Sequence, residues 1–220
     1  MEPPLPQTFH LSPTSVLVIS IGDITTWKGD AIVNAAHKEM LGGGGVDGAI
    51  HHAAGPGLLR ACQAVRIVSG RDVRRDVRCP TGEARLTRGF RLPAAHVIHA
   101  VGPVYSTKSI SEPLLIATYQ NSLQLAMDRR FQTIAFPAIS CGAYKYPVDD
   151  AAVVALSVCL EATSASSSSL QRIEFVMFET RTFEAWVHAA ANELQLTRVD
   201  HNDNLALDTD NVVRPSTTRP

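Results

Sequence analysis

Within the stretch NAAHKEMLGGGGVDGAIHHAAG (34–55), an aspartate and a histidine stand four residues apart, Asp47 and His51. On a helix that spacing puts both side chains on one face within contact distance. An imidazole beside a carboxylate can orient it and tune it electrostatically, which suits the pair to activating water. The plainer reading of Asp47 alone is dipole chemistry, an acid in a first helical turn. His52 points about 100° further round the helix and reads as structural. A third histidine, His37, stands just upstream.

The four glycines 42–45 come directly before this helix. Glycine loses more backbone freedom on folding than any other residue, so such a run needs a reason. Side-chain-free backbone entering a helix presents N–H groups and a positive dipole end, which together form an anion site. Gly43, Gly45 and Gly48 also spell G-x-G-x-x-G. The dinucleotide fingerprint wants its first glycine directly off a strand and an acid about 20 residues on. Here the apolar run ends near Asn34, and the position twenty past Gly48 is Val68. A dinucleotide dehydrogenase is therefore disfavoured.

Three other loops carry candidate chemistry. ISCGAY (139–144) places the small residues Ser140, Cys141, Gly142 and Ala143 between an apolar run and Tyr144. Two glycine-containing loops from different strand ends suit a diphosphate held from both sides. In GDIT (22–25), Asp23 reads either as an Asx-turn residue or as an acceptor for an exocyclic amine. Phe178, at the end of an apolar run, reads either as core or as a stacking face for a base.

The elements that must position these residues follow from periodicity. Apolar, β-branched or alternating runs at 15–20, 31–35, 83–89, 96–102, 133–140 and 172–179 predict strands. Helical spacing predicts helices from Val46, over 112–129, over 148–162 and over 182–195. Strands alternating with helices imply a largely parallel sheet covered on both faces, an α/β protein of three layers in one domain. Ligands in such folds bind outside the carboxyl ends of the strands, where all four loops fall. Residues 1–14 hold four of the thirteen prolines and read as an irregular lead-in. The domain is expected over 15–197, and the Asp/Asn/Thr-rich 198–220 as a disordered tail.

Composition excludes several classes. Lys+Arg and Asp+Glu nearly balance, 20 against 21, so bulk charge gives no argument for duplex nucleic acid or an anionic membrane. No apolar run approaches membrane-spanning length, and the N-terminus lacks the basic and apolar regions of a secretory signal. Cys62, Cys79, Cys141 and Cys159 show neither C-x-x-C nor zinc-ligand spacing, which suggests free thiols in a reducing compartment.

In order along the chain, GDIT (22–25), DAIVNAA (30–36), LGGGGVDGAIH (41–51), CPTGEARLT (79–87), LPAAHVIHAVGP (92–103) and FPAISCGAYKYP (136–147) resemble the macrodomains. The likeness is to the MacroD-type ADP-ribosyl-acceptor hydrolases and covers about residues 16–195. It implies an α/β/α fold with a mixed, mostly parallel sheet. It further implies that Asp23 and Ile24 form the adenine pocket with Phe178. Gly43, Gly44, Gly45 and Val46 would hold the diphosphate with Ser140, Cys141, Gly142 and Ala143. Tyr144 would lie over the distal ribose, which Asn34 supports, and Asp47 and His51 would activate water. The implied reactions remove mono-ADP-ribose from acidic side chains of proteins and deacetylate O-acetyl-ADP-ribose, with no cofactor and no metal. A monomer acting in the cytoplasm or nucleus is the accompanying expectation.

One position departs from the family pattern. The signature N-A-A-N reads N-A-A-H here, with His37 in place of the second Asn. His37 is thus a candidate at the distal ribose, either preserving catalysis or redirecting it. The departure motivates an alternative, a module that binds ADP-ribose without turnover, and a phosphatase acting on ADP-ribose 1″-phosphate is a third. The basic segment 66–78 reads as a solvated loop or a substrate-facing insertion.

Overall fold

The computed structural model describes residues 4–68, 76–164 and 168–199. Its strands are β1 (Gln7–Ser12), β2 (Ser15–Ile21), β3 (Ala31–Ala35), β4 (Ala84–Arg88), β5 (His96–Ala100), β6 (Thr133–Phe136) and β7 (Arg172–Met177). The helices are α1 (Gly45–Ala54), α2 (Pro56–Ala64), α3 (Lys108–Asp128), α4 (Val148–Ser164) and α5 (Thr180–His188). A 3₁₀ turn spans Ile24–Thr26, and a π-helical turn, Ala189–Glu193, continues α5.

The strands form one sheet in the order β1-β2-β7-β6-β3-β5-β4. Five central strands, from β2 across to β5, run parallel, and β1 and β4 add antiparallel edges. The mixed, mostly parallel three-layer sheet expected from the sequence is the one found. Alternation along each strand decides which layer a residue serves. Val33, Ile98, Phe136 and Phe175 pack with α3, α4 and α5, around Tyr119 and Trp186. Ile32, Val97, Ala135 and Val176 point to the other face, against Ile50 of α1 and Leu58 and Cys62 of α2. Asn34 and His99 share the parity of that second face, and they stand opposite each other in the β3–β5 register. No helix among the described residues is long and apolar enough to cross a membrane.

The structure departs from the sequence expectations in four places. The irregular lead-in contains β1, in which Phe9 and Leu11 bury one face while His10 is exposed. Pro6 and Pro13 flank this strand without interrupting it, so its own N–H groups remain able to pair. The expected strand over 133–140 stops at Phe136, since Pro137 has no N–H to continue the ladder. Residues 56–64, left without an element, form α2, started by Pro56 in its first turn after Gly55 at φ 72°. Of the expected tail, Arg198 and Val199 are described and bridge back to β1, with the Val199 N–H donating to Thr8 O at 3.0 Å. Residues 200–220, most of the basic 66–78 segment, and 165–167 lie outside the described residues.

Candidate active site

The sheet order sets out the candidate residues along one rim. The carboxyl ends of β2, β7, β6 and β3 stand in sequence, spaced by about 4.8 Å, so the loops after β2 and β3 are about 14 Å apart. At the β2 end, the Gly22 N–H donates to Met177 O at 2.9 Å, so the chains after β2 and β7 leave side by side. Asp23 does cap its own turn: Oδ1 accepts from Thr25 N at 2.9 Å and from Thr25 Oγ1 at 2.8 Å. Ile24 is buried beneath, and Phe178 stands 88% exposed, which removes its core reading. Glu174 braces this corner from below, accepting from Ser20 Oγ at 2.7 Å and from Trp27 Nε1 at 2.9 Å. That brace gives no local sequence signal, because its partners lie more than 140 residues apart.

At the β6 end, residues 138–146 form a tight double turn. Cys141 N donates to Ala138 O, Lys145 N to Gly142 O and Tyr146 N to Ser140 O. Ser140 takes a left-handed φ of 65°, a conformation that costs a non-glycine residue free energy and is held by its surroundings. Gly102, just past β5, allows this, since a Cβ there would collide with Ser140 Oγ. That hydroxyl is buried and has no hydrogen-bond partner among the described residues. Burial pushes the Cys141 thiol up to about 12, so it serves here as a small neutral residue.

At the β3 end, Gly42 and Gly45 take φ of 82° and 59°. Gly44 is the N-cap of α1 and offers no side-chain cap, so the first-turn N–H groups receive no acceptor from it. A Cβ on Gly44 or Gly45 would meet nothing within 4 Å. This stretch of bare backbone therefore faces open space, the arrangement an anion requires.

Directly behind the glycines sits Asp47, its side chain 2% exposed. Its Oδ1 accepts from Asn34 Nδ2 at 2.7 Å, and its Oδ2 lies 3.3 Å from His37 Nδ1. His51 Nε2 stands 3.6 Å from Oδ1, too long for a hydrogen bond, and is buried with no other partner. Tyr144 meets the His37 ring edge-on, with centroids 5.9 Å apart. Burial first, and then the charges of Glu39 and Asp47, raise the Tyr144 hydroxyl, which therefore stays neutral. The structure thus brings Asn34, His37, Asp47, His51 and Tyr144 together, and leaves His52 exposed.

Beneath the carboxylate lies a polar layer that the sequence reading passed over. His99 is fully buried; its Nδ1 lies 3.2 Å from Asn34 Nδ2, and its Nε2 lies 3.0 Å from Thr87 Oγ1 and 3.6 Å from Cys62 Sγ. Burial, aided by His51, pulls His99 down to about 3, so the ring is neutral. With Asn34 as donor, Nδ1 accepts and the proton sits on Nε2, shared with Thr87. The visible signal was a histidine inside the otherwise apolar run HVIHA. His51, Cys62 and His99 do bring three possible ligand atoms within 4.8 Å of one another. A metal there would have to displace Thr87 from His99 and deprotonate a thiol that burial pushes up to about 12.

Comparison with known proteins agrees with this geometry. A family model described as Macro domain matches residues 33–155. A Macro domain-containing protein of Vibrio parahaemolyticus is 49% identical over 168 residues, covering 76% of this chain and 93% of that protein. An O-acetyl-ADP-ribose deacetylase of Klebsiella pneumoniae is 47% identical over 165 residues, 74% of this chain and 90% of its own length. The macrodomain of Oceanobacillus iheyensis, solved with ADP, superposes with a TM-score of 0.78 at 37% identity, over 87% of this chain and 97% of that one. On the matched model, the relatives and the fold together, the chain belongs to the Macro domain family.

Proposed function

We propose that this protein binds ADP-ribose and hydrolyses its ester to a carboxyl group, releasing mono-ADP-ribose from acidic protein side chains and acetate from O-acetyl-ADP-ribose. The observation that carries the reading is the buried Asp47 carboxylate, held by Asn34 and His37 at the mouth of an uncapped glycine loop. The solved ADP complex of the Oceanobacillus macrodomain and the naming of the Klebsiella relative support the ligand and the chemistry.

The ligand follows the rim. Adenine lies at Phe178, with its amine on Asp23 and Ile24 beneath; the diphosphate lies between Gly43–Val46 and Ser140–Ala143; the distal ribose reaches Asn34, His37 and Tyr144. Binding energy from adenine and diphosphate, remote from the bond that breaks, holds the ester beside Asp47. In release from an acidic side chain a water there attacks the anomeric carbon. The carbon–oxygen bond to the acceptor carboxyl breaks, its electron pair leaves with the carboxylate, and the Asp47 charge assists deprotonation of the water. In deacetylation the water attacks the acetyl carbonyl, with the ribose oxygen leaving and taking up the proton. The targets are modified proteins inside the cell.

The test is to incubate the protein with an auto-ADP-ribosylated acceptor and follow loss of label. Steady release is expected, and tight ADP-ribose binding with no release at stoichiometric enzyme would overturn the hydrolase reading. That second result is what a binding module without turnover predicts. His37 motivates that reading, since its contact occupies one oxygen of Asp47. Replacing Phe178 by alanine removes the stacking face, so ADP-ribose affinity measured calorimetrically should fall about tenfold, within the range of base–aromatic stacking. Unchanged affinity would mean that adenine sits elsewhere.

A further inference from the structure

The surroundings of Asp47 do not suit direct proton transfer from water. Both carboxylate oxygens are backed by protein, Oδ1 by Asn34 and Oδ2 by His37, and the side chain is nearly without exposure. With one group already on each oxygen and the side chain only 2% exposed, a water has little access to either. The accessible group is His37, whose side chain is 45% exposed.

The His37 ring is held on three sides. Its Nδ1 edge meets Asp47, and Tyr144 packs against it edge-on. On the third side is Gly43, where a Cβ would lie 2.7 Å from the imidazole Cε1, so only glycine there admits the ring. The remaining nitrogen, Nε2, has no hydrogen-bond partner among the described residues. The titratable groups that face the ring are Asp47 of α1, with His51 one turn behind it, and Tyr144 of the loop after β6. Glu39, on the same loop as His37, contributes charge near Tyr144.

An imidazole with one nitrogen on a buried carboxylate and the other open to a cleft has its tautomer set by the carboxylate. The Nδ1–H donates to Asp47, and Nε2 carries a lone pair aimed away from it. The contact of 3.3 Å is long, as such contacts often are before substrate binds. We infer that His37, oriented by Asp47, is the general base that takes the proton of the attacking water, an inference that rests on the hydrolase reading. As the water oxygen bonds to the anomeric carbon and the carboxylate departs with its electron pair, the proton passes to Nε2. Asp47 stabilises the resulting imidazolium, and the exposed ring returns the proton to solvent. Asp47 is then the orienting carboxylate of a dyad, and the departure from N-A-A-N is the gain of a catalytic residue.

The experiment compares wild type with His37→Asn and His37→Ala in rate of release against pH, with ADP-ribose affinity measured alongside to show that each variant folds. Release by the wild type should rise with pH through an ionisation that His37→Asn lacks. The Asn variant should lose at least about tenfold in rate, while its ADP-ribose affinity stays within about tenfold. Added imidazole should restore part of the lost rate to His37→Ala, which a merely structural role for the ring would not permit. Nitrogen NMR of the wild type should show neutral His37 protonated at Nδ1. A neutral ring protonated at Nε2 would overturn the proposal, as would a His37→Asn enzyme with wild-type rate and pH profile. A wild type that binds ADP-ribose yet never releases product would instead overturn the hydrolase reading, and this proposal with it.

Discussion

Asp47→Ala is expected to lower the rate of ADP-ribose release by about a thousandfold while leaving ADP-ribose affinity within about tenfold. The separation follows from where the residue sits. The bare backbone that faces an anion belongs to Gly44 and Gly45, and the candidate base-stacking face belongs to Phe178 at the end of β7, two strands and about 10 Å along the rim. Among the described residues, the polar partners of the Asp47 carboxylate are Asn34, His37 and His51, all at the β3 end. Removing its charge deprives the reacting end of the group that orients and stabilises a base, and costs the remote subsites little. Single-turnover release and calorimetric binding of ADP-ribose measure the two halves separately. Turnover that survives the substitution would show that the carboxylate is not part of the chemistry.

Gly48→Ala should produce the second large effect, and in the opposite sense to the usual rule. In a helix interior, glycine to alanine ordinarily stabilises by about 1 kcal/mol. Here a Cβ would press well inside 3.0 Å on the carbonyl oxygen of Gly43, a backbone atom with no rotamer to escape into. Gly43 has little room either, because a Cβ built on it would fall against the His37 ring and Asp47 Oδ2. Relief therefore means moving the glycine loop off α1. The expected cost is about 1–3 kcal/mol of stability, with a fall in ADP-ribose affinity of at least about tenfold. Thermal unfolding and calorimetry check both numbers. Gly142→Ala is the control for stability alone, since a Cβ there meets no protein atom within 4 Å. A Gly48→Ala protein as stable as wild type would mean that the loop is not clamped.

The limits of reading this chain from its sequence lie in particular places. Central strands such as Ala31–Ala35 and Arg172–Met177 stand out because strands buried on both faces are continuous apolar runs. The glycine loop and the Asp47–His51 spacing are equally plain, since both are local. β1 was hidden because its alternation, Phe9 and Leu11 against His10, is short and lies among prolines that argue for irregular chain. α2 received no element from the sequence, although Pro56 stands in its first turn, where proline suits a helix start. What no local pattern could reveal is partnership across the sheet. The Glu174 brace, the Gly102–Ser140 approach and the His99 layer all join residues from distant elements. His37 is the intermediate case. Its identity was legible, but its distance to Asp47 belongs to the fold.

His99 has a consequence beyond the hydrogen bonds it makes. The folded protein holds it down at about 3, while the same ring in an unfolded chain takes a proton near 6.5. Between those values the unfolded state binds a proton that the native state refuses, so acid draws the equilibrium toward unfolding. Above that window His99 adds no pH dependence. Within it, each unit of acidification costs up to about 1.4 kcal/mol, until the buried ring itself would protonate. Because His99 lies under Asn34 and Asp47, the layer that keeps the reacting end in register also gives the whole domain an acid limit of its own.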